Sequence, residues 1–257
     1  MPINAHQIKS YLSYWLDAVD EHALHSPFFF DFYTGVVKGY PVPLTVAESL
    51  RKKLLADTRS VSFTDIGAKR GNNIHTTLGA IAKTSLTPVR YATLYKRILE
   101  KFQCKTIIEL GTSLGINTLY LSSAPGATVF TFEGIDAIAE TAALTFEFAE
   151  VSNVKLIKGN IHTTLPAFLQ SHRKVDFVLM DANHTYEATM LYFKMLLPKL
   201  HEKSVVVIDD IYYSKEMTEA WKALKHHDLV YASADLFKCG ILFFDPSLNK
   251  QHVILQF

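Results

Sequence analysis

Short apolar runs alternate with amphipathic segments along the chain from about residue 103 onward. The runs are rich in β-branched residues, as is typical of buried strands, and helical patterns separate the first five of them. Strands that alternate with helices of this length predict a parallel sheet with helices on both faces. The seven runs lie at 105–110, 127–133, 154–159, 175–181, 204–210, 229–234 and 240–245.

The last two runs are separated by only "DLFKC". A parallel crossover needs a dozen or more residues, so these two strands should form an antiparallel hairpin at one edge of the sheet. The pattern therefore predicts an α/β fold with a doubly wound, seven-stranded sheet that is mostly parallel and ends in an antiparallel hairpin.

The first hundred residues follow a different pattern, in which helical periodicity dominates. Helices are expected at 5–23, 44–56, 74–84 and 88–102, with a loop over 57–73. We interpret residues 1–87 as a helical N-terminal extension packed on the core, and residues 88–257 as the main domain.

Composition and charge narrow the function. The net charge is +1, from 26 basic and 25 acidic residues, which argues against a nucleic-acid partner. One basic cluster, "AKRGNN" (68–73) with His75, could argue otherwise, but a solvated loop is the simpler interpretation.

The sequence also gives expectations about location. The N-terminal segment carries charged residues where a signal peptide would have an apolar core. The uncharged stretch 110–132 contains glycines and a proline, which predict turns rather than a membrane span. Cys104 and Cys239 fit no metal or redox spacing. We expect a soluble cytoplasmic protein without a membrane partner, and a homodimer stays open as its assembly.

Ligands of open parallel sheets bind at the carboxyl ends of the strands, so the residues that follow each run matter most. The first run ends in "ELGTSLGIN", where Gly111 and Gly115 allow a tight turn and a close ligand approach. Their G-x-x-x-G spacing lacks the G-x-G-x-x-G pattern of a dinucleotide pyrophosphate site. The turn therefore argues against a nicotinamide cofactor.

The next two strand ends carry an acid and an amide. Glu133 ends the second run, where a carboxylate can accept both hydroxyls of a ribose, and Asn160 follows the third, where an amide can meet a base edge. Each alone is more often a solvated polar residue. Together, a glycine turn, an acid and an amide at three successive strand ends predict a nucleoside-binding site that lacks a pyrophosphate-binding motif.

The fifth run, "VVVIDD", ends in two adjacent carboxylates, Asp209 and Asp210. Neighbouring like charges repel, and burial of one without a partner is costly. The end of this strand should therefore contain something that attracts negative charge.

These motifs resemble one known family. "IIELGTSLGINTLYLSS", "TVFTFEG" and "LIKGN" are similar to the motifs of class I S-adenosylmethionine-dependent methyltransferases. "VDFVLMDANHTYEAT" and "SVVVIDDIYYSKEM" resemble the small-molecule O-methyltransferases of the catechol and caffeoyl-coenzyme A type and their bacterial relatives. The resemblance covers roughly 88–246. It implies a Rossmann-like fold, S-adenosylmethionine as cofactor and methyl transfer to a small-molecule acceptor, most directly a hydroxyl oxygen.

The resemblance also implies roles for individual residues in cofactor binding. Residues 109–115 would lie near the methionine moiety, residues 133–134 near the ribose and residues 160–161 beside the adenine. The implied cofactor-binding residues are Glu109, Gly111, Thr112, Ser113, Gly115, Glu133, Gly134, Asn160, Ile161 and Asp181.

Metal-dependent members of the group hold magnesium with an acid after the fourth strand and an acid–amide pair after the fifth. The matching positions are Asp181, Asp209 and Asp210, although the third is an aspartate where asparagine is typical. Three oxygen ligands would suit Mg²⁺. The alternative is that Asp209 hydrogen-bonds backbone or substrate and Asp210 caps a turn.

Activation of the acceptor is assigned to His184, which stands three residues after Asp181 where the family type places a lysine base. Histidine can accept a proton near neutral pH. Tyr212, Tyr213 and Trp221 could line an acceptor pocket, although an aromatic stripe at helical spacing is more often core. Two rival functions stay open: a methyltransferase that acts on RNA or protein, and a non-catalytic nucleoside-binding protein.

Overall fold

The computed structural model describes residues 5–64, 71–171 and 174–257. The chain forms two compact units. One is Tyr40–His172, and the other combines Met1–Gly39 with Arg173–Phe257. The boundary that we expect after residue 87 stays a prediction.

Ten α-helices and ten strands lie within the described residues. The helices are α1 (Ala5–Asp17), α2 (Pro27–Phe32), α3 (Thr45–Leu55), α4 (Leu78–Ser85), α5 (Val89–Lys101), α6 (Ile116–Ser122), α7 (Asp136–Phe148), α8 (Ile161–Ser171), α9 (Tyr186–Leu196) and α10 (Lys215–Lys225). The strands are β1 (Ser60–Thr64), β2 (Asn73–Thr77), β3 (Thr106–Leu110), β4 (Thr128–Glu133), β5 (Val154–Lys158), β6 (Phe177–Met180), β7 (Val205–Asp209), β8 (Ala232–Asp235), β9 (Cys239–Phe243) and β10 (Gln251–Ile254). None of the described helices combines the length and apolarity that a bilayer crossing requires.

The unit Tyr40–His172 contains three parallel sheet strands in the order β3-β4-β5. Helices follow each of them, as the alternating pattern predicts. The apolar sides of α3, α4, α6 and α7 share one buried cluster, whose members include Leu54, Tyr120 and Phe146. The helices of this unit therefore pack through one continuous apolar cluster.

The prediction of a loop over 57–73 is wrong for part of that segment. β1 and β2 pair in antiparallel register from Ser60↔Thr77 to Thr64↔Asn73, and the helix expected from residue 74 begins only at Leu78. Alternate residues of β1 are half buried, so burial follows the two-residue period of a strand. The polar residues of the strand hide this period in the sequence. His75 lies in β2 with its Nδ1 atom 2.7 Å from Ser62 Oγ, whereas residues 68–70 of the basic cluster lie outside the described residues.

The other unit contains five sheet strands in the order β10-β8-β9-β7-β6. β6 and β7 are parallel, whereas β9 runs antiparallel to both β7 and β8, which confirms the C-terminal hairpin. Seven sheet strands are predicted and eight are found in the described chain, because β10 adds to β8 in parallel. The missed strand is four residues long and begins with Gln251 and His252, so it lacks an apolar run.

The aromatic residues of α2 pack on strand β9. Ser26 caps α2 and Pro27 occupies its first turn, where a missing N–H costs nothing. The ring of Phe28 lies 4.9 Å from that of Phe243 on β9. Tyr14 of α1 donates a hydrogen bond of 2.6 Å to the Leu255 carbonyl, so α1 is anchored at the C-terminal end of the same unit.

Trp221 of α10 lies flat against β9 because residue 240 has no side chain. A Cβ atom at Gly240 would lie 2.5 Å from the indole ring. The indole Nε1 donates to Asp235 Oδ2 at 3.2 Å, and Tyr212 donates to the same oxygen at 2.6 Å. Trp221 is 1% exposed, so of the two interpretations of this residue the structure supports core packing.

We expect Gly240→Ala to lower the free energy of unfolding by about 1–3 kcal/mol, because the added methyl group overpacks the Trp221 ring. Urea denaturation measures the change. In a Trp221→Leu background the same substitution should cost much less, since the ring that it meets is gone. An equal cost in both backgrounds would contradict the contact.

Candidate active site

A loop that turns sharply joins the end of β3 to the start of α6. Its backbone is held to β4 by hydrogen bonds from Gly111 N and Thr112 N to the Phe132 carbonyl, at 3.0 and 3.1 Å. Gly115 caps the start of α6 with φ of 84°, and a Cβ atom there would lie 2.7 Å from the Phe146 ring. Both the backbone conformation and the close approach therefore require glycine at this position.

Glu109 lies beneath this loop and is 1% exposed. Its carboxylate accepts hydrogen bonds from Asn117 Nδ2 at 2.8 Å, Thr118 Oγ1 at 2.5 Å and Thr131 Oγ1 at 2.6 Å. Burial raises the pKa of the carboxyl, and the three hydrogen bonds oppose that rise. The carboxylate thus braces β3, β4 and α6, and its three donors were not identified from the sequence.

Glu133, at the end of β4, holds the same loop from the other side. Its carboxylate accepts from Ser113 N and Ile135 N, both at 3.0 Å. The side chain is 9% exposed, and burial raises its pKa to about 7 against the opposing effect of backbone hydrogen bonds from Ile135, Ser113 and Gly134. Near neutral pH this acid can therefore gain or lose a proton when a ligand changes its surroundings.

The end of β5 completes this group of strand ends. Gly159 N donates to the Glu133 carbonyl at 2.9 Å. Asn160 is exposed, and its side-chain oxygen accepts from His162 N at 2.9 Å at the start of α8, whereas Ile161 is buried. The structure therefore brings the predicted glycine loop, acid and amide together at one edge of the β3-β4-β5 strands.

The second unit carries the other predicted residues. A sharp turn follows β6, with positive φ at both Asn183 (65°) and His184 (39°). The turn places His184 Nε2 3.5 Å from Asp181 Oδ1. The imidazole ring also lies 5.6 Å from the ring of Tyr213. An acid beside a histidine in this way can orient the imidazole ring.

The two aspartates that end β7 share one partner that the sequence did not reveal. The Lys238 ammonium lies 2.5 Å from Asp209 Oδ2 and 2.9 Å from Asp210 Oδ1. Two unit charges about 4 Å apart interact by about 4 kcal/mol at an effective dielectric constant of about 20, so a shared cation offsets a large repulsion. Burial lowers the pKa of Lys238, but the carboxylates of Asp209, Asp210 and Asp181 outweigh burial and raise it well above the usual range.

The predicted magnesium ligands are divided by this arrangement. Ligand atoms of Asp181, His184 and Asp210 lie within 4.8 Å of one another, close enough to hold an ion. Asp209 is 1% exposed and is paired with the ammonium instead. Asp209 is therefore absent from the group of possible ligands that the structure brings together, and metal binding by Asp181, Asp209 and Asp210 stays a prediction.

A pocket of about 530 Å³ opens beside Asp210 and Lys238. α1 forms one wall, and the segments after β7 and before β9 form the other. Its lining is mostly aromatic and aliphatic, with one acid and one base. The lining residues are Gln7, Ile8, Tyr11, Leu12, Asp210, Tyr212, Tyr213, Phe237 and Lys238.

Comparison with known proteins identifies the kind of domain. Residues 108–211 match the sequence model of a family described as a methyltransferase domain. The match confirms the resemblance predicted from the strand-end motifs. None of the curated proteins matches this sequence.

Solved structures show the same fold. An O-methyltransferase from Bacillus cereus, solved with S-adenosylhomocysteine, is 15% identical with a TM-score of 0.60, over 80% of this chain and 93% of that one. TomG, an O-methyltransferase of tomaymycin synthesis from Streptomyces achromogenes solved with S-adenosylmethionine, is 19% identical with a TM-score of 0.55, over 62% and 82%. The Podospora anserina methyltransferase PaMTH1, bound to S-adenosylhomocysteine, is 13% identical with a TM-score of 0.56, over 80% and 99%. These likenesses confirm the Rossmann-like methyltransferase fold.

The raised pKa of Glu133 predicts a pH dependence of stability. The pKa is about 7 in the folded chain against 4.5 as the ordinary value. The folded state therefore binds the proton more tightly, and the stabilisation present below pH 4.5 is lost as pH rises to about 7. Relative to Glu133→Gln, which cannot ionise, the unsubstituted protein should lose about 1–3 kcal/mol of unfolding free energy between pH 5 and pH 8.

Urea denaturation at both pH values measures this difference. Glu147→Gln is the matched control, because Glu147 is exposed on α7. A Glu133→Gln protein whose stability changes with pH in parallel with the unsubstituted protein would show that Glu133 is ionised normally.

Proposed function

We propose that this methyltransferase domain transfers a methyl group from S-adenosylmethionine to a hydroxyl oxygen of a small molecule. The observation that carries the proposal is the group of strand ends in the unit Tyr40–His172. There a glycine loop, the acid Glu133 and the amide Asn160 lie at the carboxyl ends of three parallel strands. This arrangement suits a nucleoside without a pyrophosphate.

Each part of that group has a proposed role. The loop 111–115 receives the methionine moiety, and Glu109 braces the loop from below through its three buried hydrogen bonds. Glu133 accepts hydrogen bonds from the ribose hydroxyls beside Gly134, because a carboxylate oxygen that holds one backbone N–H can accept a second donor. Asn160 and Ile161 flank the adenine.

The acceptor side belongs to the other unit. The 530 Å³ pocket has a volume that suits a small molecule, and its aromatic lining, including Tyr212 and Tyr213, favours an apolar acceptor body. The small net charge of the chain, +1, supports a small-molecule acceptor over a nucleic acid. A cytoplasmic location and a homodimer remain parts of this proposal.

Methyl transfer from a sulfonium is an in-line displacement. His184 takes the proton of the acceptor hydroxyl, and Asp181 orients the imidazole and stabilises its charge. The oxygen lone pair forms the new O–C bond while the C–S bond breaks and its electron pair returns to sulfur. The sulfonium charge disappears, a neutral thioether and a methyl ether form, and His184 holds the proton. Most of the catalysis is alignment of oxygen, carbon and sulfur.

Binding of S-adenosylhomocysteine should be coupled to proton release from Glu133. Two ribose hydroxyl donors favour the ionised carboxylate and lower its pKa from about 7, so binding near pH 7 should release about half a proton. Affinity should therefore fall as pH drops below 7. Calorimetry in two buffers of different ionisation enthalpy measures the released proton.

Glu133→Ala should release no proton and bind at least 1 kcal/mol more weakly, because charge-assisted hydrogen bonds are lost. Glu147→Ala is the control. Equal affinity of the Glu133→Ala and unsubstituted proteins would remove the ribose assignment, and tighter binding of NAD would contradict the proposed cofactor.

His184→Ala should reduce methyl transfer by roughly 10²–10⁴-fold while binding of S-adenosylhomocysteine stays unchanged, because only the proton acceptor is removed. Transfer of tritium from labelled cofactor to a panel of hydroxylated small molecules measures the rate. His201→Ala is the matched control, since His201 forms a similar pair with Asp176 at 2.9 Å. Full activity of the His184→Ala protein would remove the base assignment. Cofactor binding without transfer to any acceptor would favour the non-catalytic alternative.

A further inference from the structure

We propose that the ammonium of Lys238 is the resident cation of the acceptor pocket and takes the place of a divalent metal. The inference rests on the proposed function only in calling this pocket the acceptor site. Its consequence is a methyltransferase whose acceptor activation needs no metal ion.

Lys238 lies where the strand-end acids require positive charge. Its Nζ atom is 2.5 Å from Asp209 Oδ2 and 2.9 Å from Asp210 Oδ1, so one ammonium bridges both carboxylates. Asp209 is 1% exposed and therefore has no hydration shell to replace this partner. The ammonium therefore already contacts both of the carboxylates that the resemblance assigns to a metal.

The position of Lys238 is fixed by the turn in which it lies. It follows Phe237, which has φ of 64°, in the tight turn between β8 and β9. Phe237 N donates to Asp235 Oδ1 at 2.9 Å, and Ile211 N donates to the Lys238 carbonyl at 3.3 Å. The Asp235 carboxylate also holds Tyr212 and Trp221, so buried groups of β8, α10 and the β7 exit fix this turn.

The remaining acidic groups form an incomplete metal site. Asp181, His184 and Asp210 could share an ion, but Asp210 Oδ1 already accepts from the ammonium. A divalent ion bound there would lie close to a fixed positive charge, and like charges at short range in a partly buried site repel strongly.

The same charge explains how the acceptor oxygen could be stabilised without metal. Lys238 and Asp210 both line the pocket, next to Tyr213, whose ring lies beside His184. When the acceptor gives its proton to His184, negative charge grows on oxygen until the O–C bond forms. An ammonium at the pocket wall lowers the free energy of that charge, which is the role that a Lewis acid has in metal-dependent enzymes.

The test compares binding of Mn²⁺ to the full chain and to Lys238→Met, followed by the electron paramagnetic resonance signal of the free ion. The unsubstituted protein should show no saturable site at millimolar Mn²⁺. The Lys238→Met protein should gain one site per chain, with affinity higher by roughly 10–100-fold or more, because the ammonium no longer offsets the negative charge of the two aspartates. Lys238→Arg keeps the charge and should exclude Mn²⁺ as the unsubstituted protein does.

Lys222→Met is the matched control, because Lys222 is an exposed lysine that pairs with Glu219 on α10. If Lys238→Met does not fold by circular dichroism, Lys238→Gln replaces it. Equal Mn²⁺ affinity in the unsubstituted and charge-removed proteins, whether both bind or neither binds, would overturn the proposal.

Calorimetry with S-adenosylhomocysteine on the same samples keeps the two proposals separate. The Lys238 variants should bind it as the unsubstituted protein does. Failure of the unsubstituted protein to bind would contradict the proposed function, whereas the Mn²⁺ comparison reports on Lys238 regardless of that result. Once an acceptor is known, a chelator should leave the methyl-transfer rate of the unsubstituted protein unchanged. A loss of that rate that Mg²⁺ restores would overturn the proposal.

Discussion

Buried carboxylates at strand ends are the constraint on which the functional parts of this protein depend. Glu109, Glu133 and Asp209 are each exposed by 9% or less. A carboxylate removed from water without compensation costs several kcal/mol or more, so every one of them needs nearby donors or a counter-charge. The loops and turns around them are shaped by that requirement.

The protein meets the requirement in two physically different ways. In the unit Tyr40–His172, Glu109 and Glu133 are satisfied by neutral hydrogen-bond donors, and burial raises the pKa of both. In the other unit, Asp209 is paired with the Lys238 ammonium. The first arrangement leaves Glu133 able to respond to a ligand with hydroxyl donors, whereas the second fixes a positive charge beside a pocket.

These solutions suit different kinds of ligand. A neutral, hydrogen-bonding environment around Glu133 suits a nucleoside, whose ribose offers donors but no charge. A fixed ammonium with the Asp181–His184 pair suits an acceptor oxygen that loses a proton. Hydrogen bonds from Tyr212 and Trp221 to the Asp235 carboxylate hold the turn that carries the lysine, so the packing around Asp235 sets where the charge lies.

The sequence by itself determined the α/β class, the antiparallel hairpin and the strand-end acids, because strand periodicity shows where each run stops and parallel strands present their ends at one edge. It did not identify β10 or the β1–β2 hairpin, whose strands are short and polar at several positions. The partners of the acids were also decided only by the tertiary structure. Lys238 is 29 residues from Asp209 and Thr131 is 22 from Glu109, and no local pattern encodes contacts made by strand pairing between distant segments. A carboxylate's need for a partner is local chemistry, but which partner meets that need depends on how the strands pair.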